Sequence, residues 1–402
     1  MTTRTAVPRY RPYAGPALFS QGFRPFFLGA GLWGAAAVPL WLLVLLTGID
    51  VPTAFAPAAW HAHEMVFGFA AAVVAGFLLT AIPNWTGRLP LQGLPLAGLF
   101  AVWVAGRVAV AASAVIGSGA AAVIDVAFLL LLLAVALREI VAGRNWRNLP
   151  LPGALVLLIA ANVLTHLGAA DFAAGGPLGE RLGIAVLVLL ICLIGGRIIP
   201  SFTRNWLVKR GATALPAAFG GFDKLCLAAT LLALTGWVAA EEGDATGVAL
   251  LVAGSLHTAR LLRWQGHQTL SEPLVWSLHL GFLWVPAGLL LLGLGIVVPQ
   301  VMPATAGLHA LTAGAVGAMT LAVMTRASLG HSGQPLAADG WTTAIYLAVA
   351  AAPALRVAAS GLPDHLYLPL LQASGTAWAT AFGLFTLVYG RMLLARLPQA
   401  CR

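Results

Sequence analysis

The sequence predicts an all-α, polytopic membrane bundle of about twelve transmembrane helices, and three observations predict it. Of its 402 residues 60% are hydrophobic and only 9% are charged, whereas soluble domains carry roughly 25% charged residues. Apolar runs of about 18 to 25 residues, long enough to cross a bilayer, recur from Phe26 to Leu394. Twelve crossings at about 20 residues each would take roughly 240 residues and leave only short loops. No soluble domain fits, so residues 1–402 read as one membrane domain: a segment 1–25, a bundle 26–394 and a tail 395–402.

Taken in order, the first run is 26–47. It is longer than a signal-peptide core and lacks an A-x-A-like cleavage site, so it reads as a retained helix with Pro39 inside it. The run 60–82 opens on a dense polar cluster. Helix 94–117 carries Arg107 and helix 119–142 carries Asp125, offset in depth by about one turn. An ion pair between these consecutive helices is expected, because an unpaired arginine in lipid is expensive. Helix 150–170 bears His166 near its end, and 179–200 ends on Gly195-Gly196-Arg197. Helices 219–240, 246–264, 273–296, 303–326, 339–359 and 366–394 complete the set, with His257, His279 and His309 on the second, third and fourth of these.

An even number of crossings returns both termini to one side, and the positive-inside rule makes that side cytoplasmic. Inner segments then collect Arg4, Arg9, Arg11, Arg24, Arg88, Arg138, Arg144, Arg147, Arg197, Arg204, Lys209, Arg210, Lys224, Arg260, Arg263, Arg326, Arg391, Arg396 and Arg402. Only Arg181 and Arg356 remain outside, with Asp171, Glu180, Glu241, Glu242, Asp244 and Asp364. The net charge of +9 is dispersed between apolar runs and forms no basic stripe, which sets nucleic acid aside. The cysteines Cys192, Cys226 and Cys401 show neither CxxC nor CxxCH spacing, so a disulfide framework, a structural zinc site and c-type haem attachment are excluded.

Two stretches match at a constant offset. Pro25-Phe26-Phe27 precedes His61-Ala62 by the same distance as Pro273-Leu274-Val275 precedes His309-Ala310, and Asn84-Trp85 after the second helix recurs as Asn205-Trp206 after the sixth. These are the marks of a parallel repeat with a four-helix unit. Similarity of composition among Gly-, Ala- and Leu-rich helices is the alternative.

Histidine at membrane depth is costly unless it lines a cavity, pairs or binds metal. In this topology His61, His63, His166 and His309 share the outer leaflet, His257 and His279 share a depth nearer the inner surface, and His331 closes the inner end of its helix. Neutral imidazole ligates both haem iron and copper. The bland alternative is an interhelical hydrogen bond from each ring. In Trp60-His61-Ala62-His63-Glu64-Met65, an α-helix puts His61 and Met65 on one face as a candidate copper pair. His63 points about 200° away, so the two histidines would serve two sites. Glu64 is a candidate proton donor or orienter of a ligand histidine; a carboxylate at the headgroup boundary is the plain alternative. The small residues Gly68, Ala71, Ala72, Ala75 and Gly76 that follow admit a neighbouring helix or a flat macrocycle. Arg197 and Arg326 read either as topogenic charge or as partners for haem propionates.

These motifs resemble the NnrS family of polytopic haem- and copper-containing bacterial membrane proteins associated with nitric oxide and nitrosative stress. The resemblance covers nearly the whole chain. It rests on Gly22-Phe23-Arg24-Pro25-Phe26-Phe27, on Trp60 through Glu64 and Gly68 to Gly76-Phe77-Leu78-Leu79-Thr80, and on Asn84-Trp85-Thr86-Gly87. It rests further on Gly195-Gly196-Arg197 with Pro200 and Phe202, Leu278-His279, His309-Ala310-Leu311, Met324-Thr325-Arg326 and Gly330-His331-Ser332-Gly333. It implies haem b and copper, with His61, His63, His279, His309 and His331 as the motif histidines, and a multi-pass protein of the bacterial inner membrane that binds or converts nitric oxide. His257 and His166 lie outside these motifs and are ranked by depth alone. Gln334 stands where the family has a basic residue, which weakens a propionate contact there. Whether the redox chemistry turns over, which electron donor serves it and what oligomer forms stay open. The rival readings are a transporter or channel for a small solute or metal ion with histidines along its path, and a haem-binding sensor that converts nothing.

Overall fold

The computed structural model describes residues 13–170 and 175–396; Arg4, Arg9, Arg11, Asp171, Cys401 and Arg402 lie outside the described residues. Among the described residues there is no strand. Twelve helices are long and apolar enough to cross a membrane: α1 Phe23–Thr47, α2 Pro57–Thr86, α3 Leu94–Ala111, α4 Ser118–Ala142, α5 Trp146–Ala169, α6 Gly175–Lys209, α7 Gly221–Ala239, α8 Asp244–Leu262, α9 Pro273–Val297, α10 Ala304–His331, α11 Gly340–Gly361 and α12 Asp364–Leu394. Interior prolines at Pro39, Pro83, Pro200, Pro286, Pro353 and Pro369 are carried without ending their helices, as happens where neighbouring helices take up the freed carbonyls.

Helices that follow one another pack together, and α1 packs along α12 to close the ring. Arg24, buried near the start of α1, donates to the carbonyls of Leu393 (3.0 Å) and Ala395 (2.7 Å) at the end of α12. It thereby satisfies carbonyls that a helix end leaves open. Trp378 of α12 donates its indole N–H to the Gly34 carbonyl of α1 at 2.9 Å.

Three helices occupy the centre. The most apolar windows of α2, α6 and α10 are 72, 56 and 67% buried, against 33–50% for the other nine. Each is the second helix of a run of four, the spacing at which Asn84-Trp85 recurs as Asn205-Trp206. In α2 and α10 the helix widens into a π-type stretch directly after a histidine: Glu64–Ala70 after His63, and Ala310–Ala318 after His309. Both stretches are met by a tryptophan of the preceding helix, Trp33 against Gly68 and Trp284 against Gly314.

Several expectations need correcting. The predicted helix 94–117 ends at Ala111, because Ser113 turns the chain: its Oγ donates to the Val110 carbonyl (2.8 Å) and accepts from the Ala54 N–H (2.8 Å). Arg24 and Arg260, read above as topogenic charges, are buried at 1 and 0% exposure. Arg260 donates to Asp223 at 2.8 Å and to the Cys192 carbonyl at 3.1 Å. Cys192 and Cys226 are free and buried, as expected of small apolar side chains.

Candidate metal centre

The densest buried polar cluster lies between α2, α3, α4 and α5, near the loop 48–56. It begins with the expected pair, Arg107 of α3 and Asp125 of α4, whose side chains bond directly. It extends further than the sequence showed. Arg107 also donates to Glu64 at 2.7 Å, and His63 lies with Nδ1 3.2 Å from Glu64 Oε1 and Nε2 3.1 Å from Asp125 Oδ2. From α5, Asn162 donates to Asp125 Oδ2 at 2.9 Å, and His166 places Nε2 3.1 Å from the same oxygen.

Local structure explains how these groups meet. The widened turn Glu64–Ala70 breaks the 100° step of an α-helix immediately after His63. It thereby turns Glu64 inward beside His63, and such π-type turns recur at functional sites. Gly68 leaves room for the ion pair: a Cβ there would stand 2.6 Å from Arg107 Nη1 and 2.7 Å from Glu64 Oε2. His61 and Met65 stand on either side of the change from α to π-type geometry at Glu64. Glu64 is not a headgroup carboxylate, being 0% exposed.

Electrostatics decides why so many charges are tolerated. The His63 ring sits between Glu64 and Asp125, and Arg107 bridges the same two carboxylates. Opposite charges in direct contact offset part of the penalty that an isolated buried charge would incur. Phe55 and Phe67 pack on His63 at ring separations of 5.0 and 5.2 Å, and Phe55 also lies 5.3 Å from His166. Both histidines are buried, at 0 and 4% exposure.

His63, Asp125 and His166 offer one donor atom each, all within 4.8 Å of one another, and form the one such group among the described residues. The two imidazole nitrogens each lie 3.1 Å from Asp125 Oδ2, which suits an ion at ordinary metal–ligand distances of roughly 2.0–2.2 Å. Two imidazoles and one carboxylate make a donor set for zinc, copper or iron.

The other candidate residues fall elsewhere. His61 stacks on Trp41 at 4.4 Å and lies within electrostatic reach of His309 and Arg356. His309 donates Nδ1–H to the Thr305 carbonyl at 2.8 Å. His279 and His257 each share Nε2 with a threonine, Thr203 at 2.8 Å and Thr230 at 2.7 Å, which is the interhelical hydrogen bond weighed above. His331 packs on Phe23, Arg326 sits over the Phe202 ring at 3.9 Å, and Arg197 is exposed. Asn162 was missed. Its signal was a lone amide in the apolar run Ala160-Ala161-Asn162-Val163. Asp125 was read only as a partner for Arg107, and His166 was ranked below the motif histidines.

The order of these elements and motifs agrees with one comparison. A family profile described as NnrS protein matches residues 17–396, nearly the whole chain. A match of this extent means that this chain of twelve apolar helices belongs to the NnrS family.

Proposed function

We propose that this NnrS-family membrane protein holds a redox-active metal ion at His63, Asp125 and His166 and acts at the bacterial inner membrane in the response to nitric oxide. The observation that carries the reading is the convergence of those three side chains, drawn from three helices, in a water-poor pocket. Copper fits the donor set. The same set accepts iron or zinc, so the identity of the ion is a matter for analysis. When bound, such an ion supplies a coordination position for a small diatomic ligand. Glu64 orients His63 through Nδ1, in the manner of carboxylates behind ligand histidines, and Asn162 holds Asp125 in place.

Haem finds narrower support. The apolar groove of about 730 Å³ between α2, α5, α6 and α10 is lined by residues such as Val73, Leu155, Leu187 and Val316 and offers no histidine. His257 and His279 have Nε2 engaged by threonine. His309 fits better, because its Nδ1 is anchored on a carbonyl and its Nε2 is left as the coordinating nitrogen. A haem iron would therefore take His309, and the metal centre would be separate from it.

Elemental analysis and pyridine-haem assay of the purified chain test this. His63→Ala, His166→Ala and Asp125→Asn should each lower non-haem metal content to below a tenth of wild type while His257→Ala leaves it unchanged. Full metal content in all three centre variants would refute the assignment.

A further inference from the structure

The constant-offset match pairs residues of the buried cluster with a second polar group that lacks carboxylates. At an offset of 248 residues His61 corresponds to His309 and Glu64 to Thr312; at 249, Arg107 corresponds to Arg356 and Asp125 to Ser374. The widened turn of α10, Ala310–Ala318, covers the positions equivalent to Glu64–Ala70. So helices α9–α12 keep a histidine at the His61 position, the wide turn and the arginine, while Leu311 stands at the position of His63. They replace both acids with hydroxyls.

Arg356 is 8% exposed on α11, and its guanidinium donates to Ser360 of its own helix at 2.8 Å and lies 5.9 Å from the Tyr367 ring. Among the described residues no carboxylate reaches it within ion-pair distance, whereas Arg107 has two. Thr312 and Ser374 spend their hydroxyls on backbone carbonyls, Leu308 at 2.9 Å and Ala352 at 2.7 Å. Nearby, His61 has a buried Nδ1 with no hydrogen-bond partner, and both His61 and His309 lie within electrostatic reach of Arg356. An arginine withdrawn from water without an opposite charge is costly, and a guanidinium's fixed fork of N–H donors matches a planar oxoanion.

We propose that Arg356, assisted by His61 Nδ1, is a receptor for a planar oxoanion of the carboxylate or nitrite type, the ligand taking the place that Asp125 and Glu64 fill beside Arg107. The anion has two chemical sources, a free small oxoanion or a carboxylate borne by a bound cofactor. The proposal stands on Arg356 and does not require a metal at His63.

Isothermal titration of the detergent-purified full chain with sodium nitrite and with sodium formate tests it, with haem content measured on the same samples. Wild type should bind one of the two anions, and Arg356→Gln should weaken it at least tenfold. Ser374→Asp should do the same by restoring an internal partner, which keeps the test decisive where Arg356→Gln fails to fold. If neither anion binds but both variants lose haem, the site is occupied by a cofactor carboxylate and the proposal holds. Equal binding of nitrite or formate by wild type and both variants overturns it, as does the absence of anion binding with haem content unchanged.

Discussion

Arg107 is the residue on which the buried cluster turns, since its guanidinium donates to both Glu64 and Asp125. Removing one member of a buried ion network leaves the others uncompensated, at a cost of about 3–5 kcal/mol. Arg107→Met should therefore lower stability by that order in reversible unfolding from mixed micelles. Glu64→Gln should be milder, because Asp125 still pairs with Arg107. A smaller loss for Arg107→Met than for Glu64→Gln would mean that the charges are not coupled as described. Arg107 and Asp125 were legible as a pair because each is a lone charge in an apolar run. His63 and His166 were not legible as partners, because ranking by motif placed His63 with His61 and His309. Burial of Arg24 and Arg260 was equally hidden: near a helix end, an arginine that caps carbonyls and one that faces the headgroups occupy the same kind of sequence position.

At the level of elements, the two widened turns decide what α2 and α10 present to their neighbours. Each is crossed at a glycine by a tryptophan, but the consequences of filling that glycine differ. A Cβ on Gly314 would meet Trp284 Cγ at 2.5 Å, while one on Gly68 would strike Arg107 and Glu64 as well as Trp33. Overpacking of this kind costs about 1–3 kcal/mol. Gly314→Ala should thus reduce thermal stability by that order with metal content intact. Gly68→Ala should reduce stability and also cut the metal content, by pushing Glu64 off His63. Elemental analysis after purification distinguishes the two, and equal metal loss in both would argue against a local role for Gly68. Neither turn could be read from periodicity, since a π-type stretch changes the angular step without leaving a composition signal.

For the whole molecule, twelve traverses and a ring closed by α1 against α12 bring the termini to one face. The charge bias then predicts that this face is cytoplasmic. A fluorescent protein fused after residue 396 should mature, and alkaline phosphatase fused there should be inactive. Phosphatase inserted in the loop between α7 and α8, near Glu241 and Glu242, should be active. The opposite pattern would invert the topology and put the histidine–carboxylate centre on the cytoplasmic half.

Composition and run length determined by themselves that this chain is a helical membrane bundle with twelve candidate spans. These are properties of segments, set by the cost of placing backbone and charge in hydrocarbon. Which imidazole meets which carboxylate was decided only by the tertiary structure. That choice depends on the rotation of four helices about their axes and on one widened turn, quantities that neighbours set through packing.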